Sequence, residues 1–294
     1  MEQQNTDKRR RSWLPYTIGG LALLTALYVV VITSFVHSGE AHRETFPPAG
    51  GAAVDRLRME ANVLTIDPVL NSYKLRLKFV PEGAYAGPAR DTLAKPVTIV
   101  TNDVGGAKPQ QNPAGQMIPI KDITLDAVGE TAHYPLDHHT FTLDVRVFDA
   151  AGAPVPVATT WVSSVDDWTL DPRMAPTSGP GDVVLDVDAE RSPSVLIMAF
   201  GLMSVLGMLV IVNVAMVVRA IHLHKVEFTT LAALAATLFA IPGIRNGMPQ
   251  TPPVGTLADF LVFFWALMVV GLCLVAATIS WLHTAAAKPR EQER

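Results

Sequence analysis

Cysteine is almost absent from this sequence, which contains a single one, Cys273, within its last apolar run. One thiol excludes an intramolecular disulfide framework, a multi-cysteine zinc site and, outside that run, a cysteine nucleophile. A lone cysteine among apolar residues is typical of a small packing side chain. We therefore expect Cys273 to be a packing residue.

Catalytic sequence motifs are also missing. The chain has no G-x-S-x-G, no H-E-x-x-H, no Walker loop and no G-x-G-x-x-G after a predicted strand. It has no exposed basic stripe to neutralise phosphates, because residues 38–192 contain 21 Asp or Glu against 13 Lys or Arg. These absences predict a protein that is not an enzyme, has no cofactor and does not bind nucleic acid.

Long apolar runs, by contrast, occur four times, at residues 17–36, 194–218, 228–244 and 259–281. A helix of about 20 apolar residues covers the ~30 Å hydrocarbon layer of a bilayer. The basic lead at residues 8–11 makes a cleaved signal peptide the alternative for the first run. That run is too long for a typical signal, and no small-x-small cleavage site follows it. The pattern predicts one N-terminal transmembrane helix and a C-terminal three-helix transmembrane bundle in contact with the lipid bilayer.

Basic residues near the ends of these runs predict the orientation. Residues 8–11, the link with Arg219 and Lys225, and the tail with Lys288 and Arg290 fall on one side after four crossings. Lys and Arg are enriched in cytoplasmic loops. We expect a plasma membrane protein with cytoplasmic tails at residues 1–16 and 284–294 and an extracytoplasmic domain at residues 37–192.

The extracytoplasmic segment carries strand signals separated by Pro and Gly clusters. In residues 73–80, the apolar Tyr73, Leu75 and Leu77 alternate with Lys74 and Arg76, which is the period of a half-buried strand. Residues 141–147 alternate in the same way, and shorter candidates are residues 57–66, 97–100, 118–125, 157–162 and 183–187. About seven short strands without a long amphipathic helix predict an antiparallel β-sandwich.

Two polar clusters in this domain have chemical alternatives. His133, His138 and His139 surround Asp137 and could hold a divalent metal, but adjacent residues of an extended chain point to opposite faces. A structural corner is therefore favoured. Around Trp168, residues 166, 167 and 171 are all Asp, and their spacing favours a solvated turn over a calcium loop. Convergence of His133, His138 and Asp166 on one pocket would indicate an envelope enzyme acting on lipid or glycan.

The C-terminal runs predict how the helices pack. Asn213 lies inside the second run, and an amide in hydrocarbon needs a protein partner, so it should face another helix. The third run is short, rich in Ala and Thr, and interrupted at Pro242-Gly243. The proline-rich connector after it should lie against the sandwich, because the linker from the sandwich to residue 194 is short.

These features predict that the outer domain binds a ligand or partner and is mechanically coupled to the helices. We expect Arg191 or Arg245 to pair with Asp137 or Asp259 where the sandwich corner rests on the connector. The predicted coupling residues are Tyr134, Pro135, Asp137, Arg191, Arg245, Pro249, Pro252, Pro253 and Asp259. Further copies of the chain, or other envelope membrane proteins, are the expected protein partners.

Two motifs carry a family resemblance. H-Y-P-L-D-H-H at residues 133–139 and R-N-G-M-P-x-x-P-P-V-G-T-L-A-D-F-L-V-F-F-W at residues 245–265 resemble a bacterial membrane family, the domain-of-unknown-function 4436 family. The resemblance extends from the first apolar run to Trp281. The resemblance implies an arrangement of membrane spans and outer domain, but it implies no activity.

A more distant resemblance is to the pentameric ligand-gated (Cys-loop) channels. In that family an arginine joins a β-sandwich to membrane helices, an aromatic-Pro-x-Asp corner lies on the sandwich, and a proline-bearing loop connects the second and third helices. Arg191, residues 134–137 and residues 248–253 occupy these places here. The resemblance implies an oligomeric ion channel subunit as the alternative function, with Thr230 and Thr237 lining the pore and Glu227 at its inner mouth.

Overall fold

The structure is a computed structural model that describes residues 19, 22, 25–26, 28–34, 36, 42–49, 51, 53–106 and 108–287. The predicted tail at residues 1–16 lies outside these residues, as do parts of the predicted first span at residues 17–36 and of the C-terminal tail. The N-terminal helix therefore stays a prediction.

Among the described residues, ten strands precede the C-terminal helices. Their bounds are β1 His42–Phe46, β2 Arg56–Asp67, β3 Ser72–Glu82, β4 Val97–Thr101, β5 Gln110–Asn112, β6 Lys121–Gly129, β7 His138–Asp149, β8 Val157–Ser163, β9 Trp168–Met174 and β10 Asp182–Arg191. Short 3₁₀ turns at Gly83–Tyr85 and Thr131–His133 follow β3 and β6.

The strands form one nearly closed, barrel-like sheet with the order β1-β8-β2-β3-β6-β7-β10-β9. β4 pairs with β5 and with the second half of β7. The first part of β6 pairs with β3 and its last three residues pair with β7, so β6 joins the two halves of the sheet. The predicted sandwich is thus correct only as a mostly β domain. The antiparallel prediction is wrong for β2 and β8, which pair in parallel, although β8 is antiparallel to its other neighbour, β1.

The alternating strands bury the faces that their sequences predict. Tyr73, Leu75 and Leu77 of β3 are fully buried, and so are Leu143 and Val145 of β7. The rings of Tyr73 and Phe141 lie 4.3 Å apart between their centroids, and the ring of Phe141 also contacts that of Trp161. These side chains form one hydrophobic core inside the sheet.

Three strands have no counterpart among the predictions: β1, β5 and β9. β5 lies inside a Pro- and Gly-rich segment that was expected to be a turn. The predicted turn around Trp168 holds for Asp166 and Asp167, but Trp168 itself begins β9, with Asp171 inside it. Pro172 is tolerated there because β9 is an edge strand, where a missing N–H breaks no ladder bond.

The C-terminal part contains three helices: α1 Pro193–His222, α2 Phe228–Asn246 and α3 Phe264–Ala287, the last preceded by a π-helical turn at Asp259–Phe263. Each is long and apolar enough to cross a membrane. α1 and α2 extend beyond the predicted ends at residues 218 and 244. The predicted interruption at Pro242-Gly243 is wrong, because α2 continues through Pro242. Transmembrane helices tolerate proline where neighbouring groups compensate for the lost N–H.

Asn213 is buried between α1 and α2, as expected. Its Nδ2 donates to the Leu209 carbonyl oxygen at 2.8 Å and to Thr237 Oγ1 at 3.3 Å. Cys273 packs partly buried against the same interhelical cluster.

The core of the β domain can be tested on β3, where buried and exposed residues alternate. We expect Leu75→Ala to lower the free energy of unfolding by about 2–5 kcal/mol, because it removes a fully buried side chain and leaves a cavity. Lys74→Ala on the exposed face is the matched control and should change little. Denaturant unfolding of the purified protein measures both, and equal effects would contradict the assigned faces.

Candidate functional site

A buried ion pair lies where the β domain meets the helices. Arg191 is the last residue of β10, two residues before α1 begins. Its Nε donates to Asp137 Oδ1 at 2.9 Å and its Nη2 to Asp137 Oδ2 at 2.7 Å. The exposed fractions of the two side chains are 2% and 0%. This is the paired, bidentate geometry that a buried guanidinium requires.

Aromatic rings enclose the guanidinium on its remaining sides. The Cζ atom of Arg191 lies 4.0 Å from the ring centroid of Trp168 and 5.1 Å from that of Tyr134. A desolvated cation over an aromatic face adds a favourable cation–π interaction. Arg191 Nη1 also donates to Gln250 Oε1. One side chain therefore contacts β9, the segment before β7, and the connector between α2 and α3.

Asp137 remains ionised although it is buried. Burial raises the pKa of its carboxyl group, but hydrogen bonds from His139 and Arg191 outweigh that effect and hold the pKa below its usual range. His139 Nε2 lies 3.4 Å from Asp137 Oδ2, and the imidazole meets the Trp168 ring edge-on. Gly129, opposite His139 in the β6–β7 ladder, leaves room for the ring, since a Cβ there would overlap it.

Tyr134 extends from the β domain into the helix bundle. It is fully buried, and it packs in the same cluster as Val195 of α1 and Met248 of the connector. Its hydroxyl donates to the Pro249 carbonyl oxygen at 3.1 Å, and its own carbonyl oxygen accepts from the Ala258 N–H at 3.3 Å. Burial raises the pKa of Tyr134 to about 12, so the hydroxyl stays a donor at neutral pH.

The α2–α3 connector, residues 247–258, presents one amide to the β domain. Gln250 accepts from Arg191 and donates through Nε2 to Asp167 Oδ2 at 2.7 Å. Gln250 and Thr251 have φ values of +58° and +37°, a left-handed conformation that costs free energy for residues with a side chain. Pro252, which follows, is buried. The connector is thereby held in one shape against the β domain.

A second ion pair joins the two ends of the connector. Arg245 near the end of α2 contacts Asp259 at the start of the π-helical turn, with both N–O distances 3.1 Å. Arg245 Nη2 also donates to the Pro253 carbonyl oxygen at 2.8 Å. Asp259 Oδ2 accepts from the backbone N–H groups of Gly255 and Thr256 at 2.8 and 3.2 Å.

The structure brings the predicted coupling residues together in two groups. Tyr134, Pro135, Asp137, Arg191 and Pro249 lie at the upper contact, where Pro135 is buried beside Tyr134. Arg245, Pro253 and Asp259 form the lower contact, with Pro252 between the groups in sequence. The sequence left the choice of arginine open, and the structure pairs Arg191 with Asp137 and Arg245 with Asp259.

Sequence reasoning missed four members of the upper contact: Asp167, Trp168, Gln250 and the role of His139 as a partner of Asp137. The position of Gln250 between prolines was the one signal that could have identified it. The sequence indicated Trp168 only as the centre of an acidic segment and not as a contact of Arg191.

The predicted pore-lining residues lie on or next to α2. Glu227 is exposed just before the helix and accepts from Thr229 Oγ1 at 3.3 Å, while Thr230 is half-buried. Thr237 faces α1 through Asn213. A pore-lining role stays a prediction for all three predicted residues.

The histidine cluster is divided among separate contacts. His133 lies 3.1 Å from Glu130, His138 lies 3.7 Å from Asp188, and His139 is buried beside Asp137. Within the described part of the chain, no three His, Cys, Asp or Glu side chains converge as metal ligands do.

A mostly β domain joined through buried charges to three helices that could span a membrane is compatible with a membrane protein. Residues 47–189 match the family model described as Domain of unknown function (DUF4436), which confirms the resemblance carried by the histidine-rich motif. The predicted extent is wrong, because residues 191–284 match a second model, Domain of unknown function (DUF8686). No curated protein matches the chain.

A double-mutant cycle tests the central pair. We expect Asp137→Ala and Arg191→Ala each to destabilise the protein by about 3–5 kcal/mol, because each leaves a buried charge unpaired. The double variant should lose much less than the summed effects. The exposed pair Arg76 and Asp122, also bidentate, is the matched control and should behave additively because water screens it. Additive effects at Asp137 and Arg191 would contradict the buried pairing.

The lowered pKa of Asp137 predicts an acid dependence. A carboxylate whose pKa falls on folding stabilises the protein above its unfolded pKa, and this contribution is lost as the pH falls from about 4. We expect Asp137→Asn to be less stable than the wild type at pH 7, with the difference shrinking below about pH 4. Thermal unfolding from pH 7 to pH 3 measures this, and a constant difference would contradict it.

Proposed function

We propose that this chain is a non-enzymatic, multi-pass protein of the plasma membrane whose β domain faces outward, binds a ligand or partner and is coupled to the helices. Coupling means that a displacement of the β domain changes the arrangement of the helices. The contact network around Arg191 is the observation that supports it.

Arg191 supports coupling because it cannot move independently of its neighbours. Its pair with Asp137 fixes the end of β10 to the segment before β7, and its bond to Gln250 extends the network to the connector. Separating the two charges without solvation costs about 3–5 kcal/mol. A movement of residues 134–137 is therefore transmitted to the start of α1 and to the connector.

The distribution of positive charge supports the orientation. Arg219 and Lys225 flank the short link between α1 and α2, at the helix ends remote from the β domain. The β domain itself is acidic. By the positive-inside rule, this distribution supports a cytoplasmic link and an outward-facing β domain.

Cysteine labelling tests the orientation, since Cys273→Ser removes the one native thiol. In that background we expect Val104→Cys to react with a membrane-impermeant maleimide on intact cells. Leu223→Cys should react only after permeabilisation. Both native side chains are exposed, so accessibility alone does not separate them. Labelling of Leu223→Cys in intact cells would contradict the orientation.

Hydrogen exchange measured by mass spectrometry in nanodiscs tests the coupling. We expect Asp137→Asn to speed exchange in residues 247–258, and Gln250→Ala to speed exchange in β9 and in residues 134–137. Coupling between two segments is reciprocal, and each 1.4 kcal/mol of lost local stability gives about tenfold faster exchange. Arg76→Ala, at an exposed ion pair, should affect neither region. Changes confined to the substituted segment would contradict the coupling.

A channel subunit is the second candidate. The contact between residues 134–137 and the connector is the arrangement that the Cys-loop resemblance implies. α2 supports it as well, because Leu234 and Ile241 are its only buried residues among those described. The uncovered surface of α2 is rich in Ala and Thr, which suits a pore or subunit contact better than lipid.

Particle mass and symmetry in detergent, followed by ion flux in liposomes, test the channel. We expect a ring-shaped oligomer whose flux changes with Glu227→Gln or Thr230→Ala. Thr278→Ala on α3, whose hydroxyl donates to the Leu274 carbonyl oxygen of its own helix, is the control. A monomer that conducts no ions would remove this candidate and leave the coupled β domain intact.

A further inference from the structure

A cavity of about 560 Å³ lies where the β domain meets the first turn of α1. Its walls come from β1 and β9 at the two free edges of the barrel-like sheet, from the end of β8, and from the residues around the start of α1. Val30, Thr33 and Ser34, before the β domain, complete the lining. The residues that matter for its chemistry are Ser163, Val165, Trp168, Thr169, Leu170, Ser192 and Ile197. The sheet is not closed here, and the cavity occupies the gap. This volume is in the range of small-molecule sites.

The lining is apolar with a few polar groups, which include the imidazole of His42. Val165, Leu170 and Ile197 supply the apolar surface, and the hydroxyl groups of Ser163 and Thr169 lie among them. Edge strands also present backbone N–H and C=O groups that no neighbouring strand pairs. The described lining residues include no Asp, Glu, Lys or Arg. Such a surface suits a ligand with a long apolar part and one uncharged or weakly acidic polar end.

Some donor groups of this cavity are available to a ligand. Ser163 is only 6% exposed and lines the cavity with its neighbours. The indole Nε1–H of Trp168, which is also buried, has no hydrogen-bond partner among the described residues. Ser192 caps α1 without a side-chain bond to the helix, and its hydroxyl pairs with Ser194 Oγ at 2.8 Å instead. The first N–H groups of a helix need acceptors and favour negative charge. A hydrogen-bond acceptor on the ligand could bond to the Ser163 hydroxyl and to the first N–H groups of α1.

We propose that this cavity binds a single-chain amphipath, with its acyl chain against the apolar wall and an ester or carboxylate oxygen at Ser163 and the start of α1. The cavity lies at the end of a helix that could span a membrane, so such a molecule reaches it from the adjoining leaflet or from solution.

Trp168 connects this cavity with the buried ion pair. One part of the indole lines the cavity, and its face lies 4.0 Å from the guanidinium of Arg191. A ligand that shifts the indole therefore displaces the cation that holds the junction together. The assignment deepens the proposed function, on which the regulatory role rests, but binding itself is measured separately from coupling.

Fluorescence quenching by 12-bromododecanoic acid tests the proposal, with the full chain in phosphatidylcholine nanodiscs. Trp13, Trp265 and Trp281 are replaced by Phe, which leaves Trp168 at the cavity and Trp161 in the core, where it is fully buried. We expect saturable quenching. Thr169→Phe, which fills the cavity, should abolish it, and Thr45→Phe on the other edge strand is the control for an added ring. Ser163→Ala should weaken binding by about 2- to 10-fold, the value of one hydrogen bond.

Competition experiments identify which kind of molecule supplies the polar end of the bound ligand. Displacement by dodecanoic acid alone supports a free acid, displacement by monododecanoylglycerol alone supports a leaflet ester, and displacement by both supports the shared acceptor chemistry. Quenching that does not saturate, that neither competitor reverses, or that Thr169→Phe leaves unchanged overturns the proposal as membrane partitioning only. If no quenching is seen but the reciprocal changes in hydrogen exchange occur as expected, the ligand proposal is overturned and the coupling proposal stands.

Discussion

Arg191 is almost fully buried, and its charge has to be balanced inside the protein because water does not reach it. Asp137 provides that balance, and the two side chains come from segments far apart in sequence. A buried ion pair contributes little net stability compared with apolar residues of similar size, but loss of either partner leaves an uncompensated buried charge. The pair therefore specifies one way of docking the β domain on the helices. Trp168, Tyr134 and Gln250 are positioned by the same requirement, since each contacts the guanidinium.

The connector between α2 and α3 is shaped to meet this charge. Gln250 adopts a left-handed backbone conformation that most residues avoid, and its side chain bridges Arg191 and Asp167. At the other end of the connector, Asp259 accepts hydrogen bonds from Arg245 and from two backbone N–H groups, and these bonds fix that end. A loop held at both ends has fewer accessible conformations than a free one. The connector is thus a rigid part of the helix bundle.

The features that the sequence predicted best follow from local periodicity and from burial. β3 and β7 alternate with a period of two, so their positions and buried faces could be predicted, although both strands extend beyond the predicted residues at each end. Asp137 and Arg191 stood out because charged residues next to a proline corner and a membrane helix need partners. Gln250 and Trp168 could not be recognised, because their roles depend on contacts between residues far apart in sequence. Gln250 and its partner Asp167, for example, are more than 80 positions apart. The parallel pairing of β2 and β8 is likewise a matter of topology, which alternation does not encode.

The two family models meet inside the junction: the first ends at residue 189 and the second begins at residue 191. Asp137 thus belongs to one module and Arg191 to the other. A hybrid that grafts this outer module onto the helices of another relative would inherit its carboxylate and its guanidinium from different parents. Compatibility between such modules therefore requires that this carboxylate and guanidinium still match, together with the contacts that Tyr134 and Gln250 make across the same boundary.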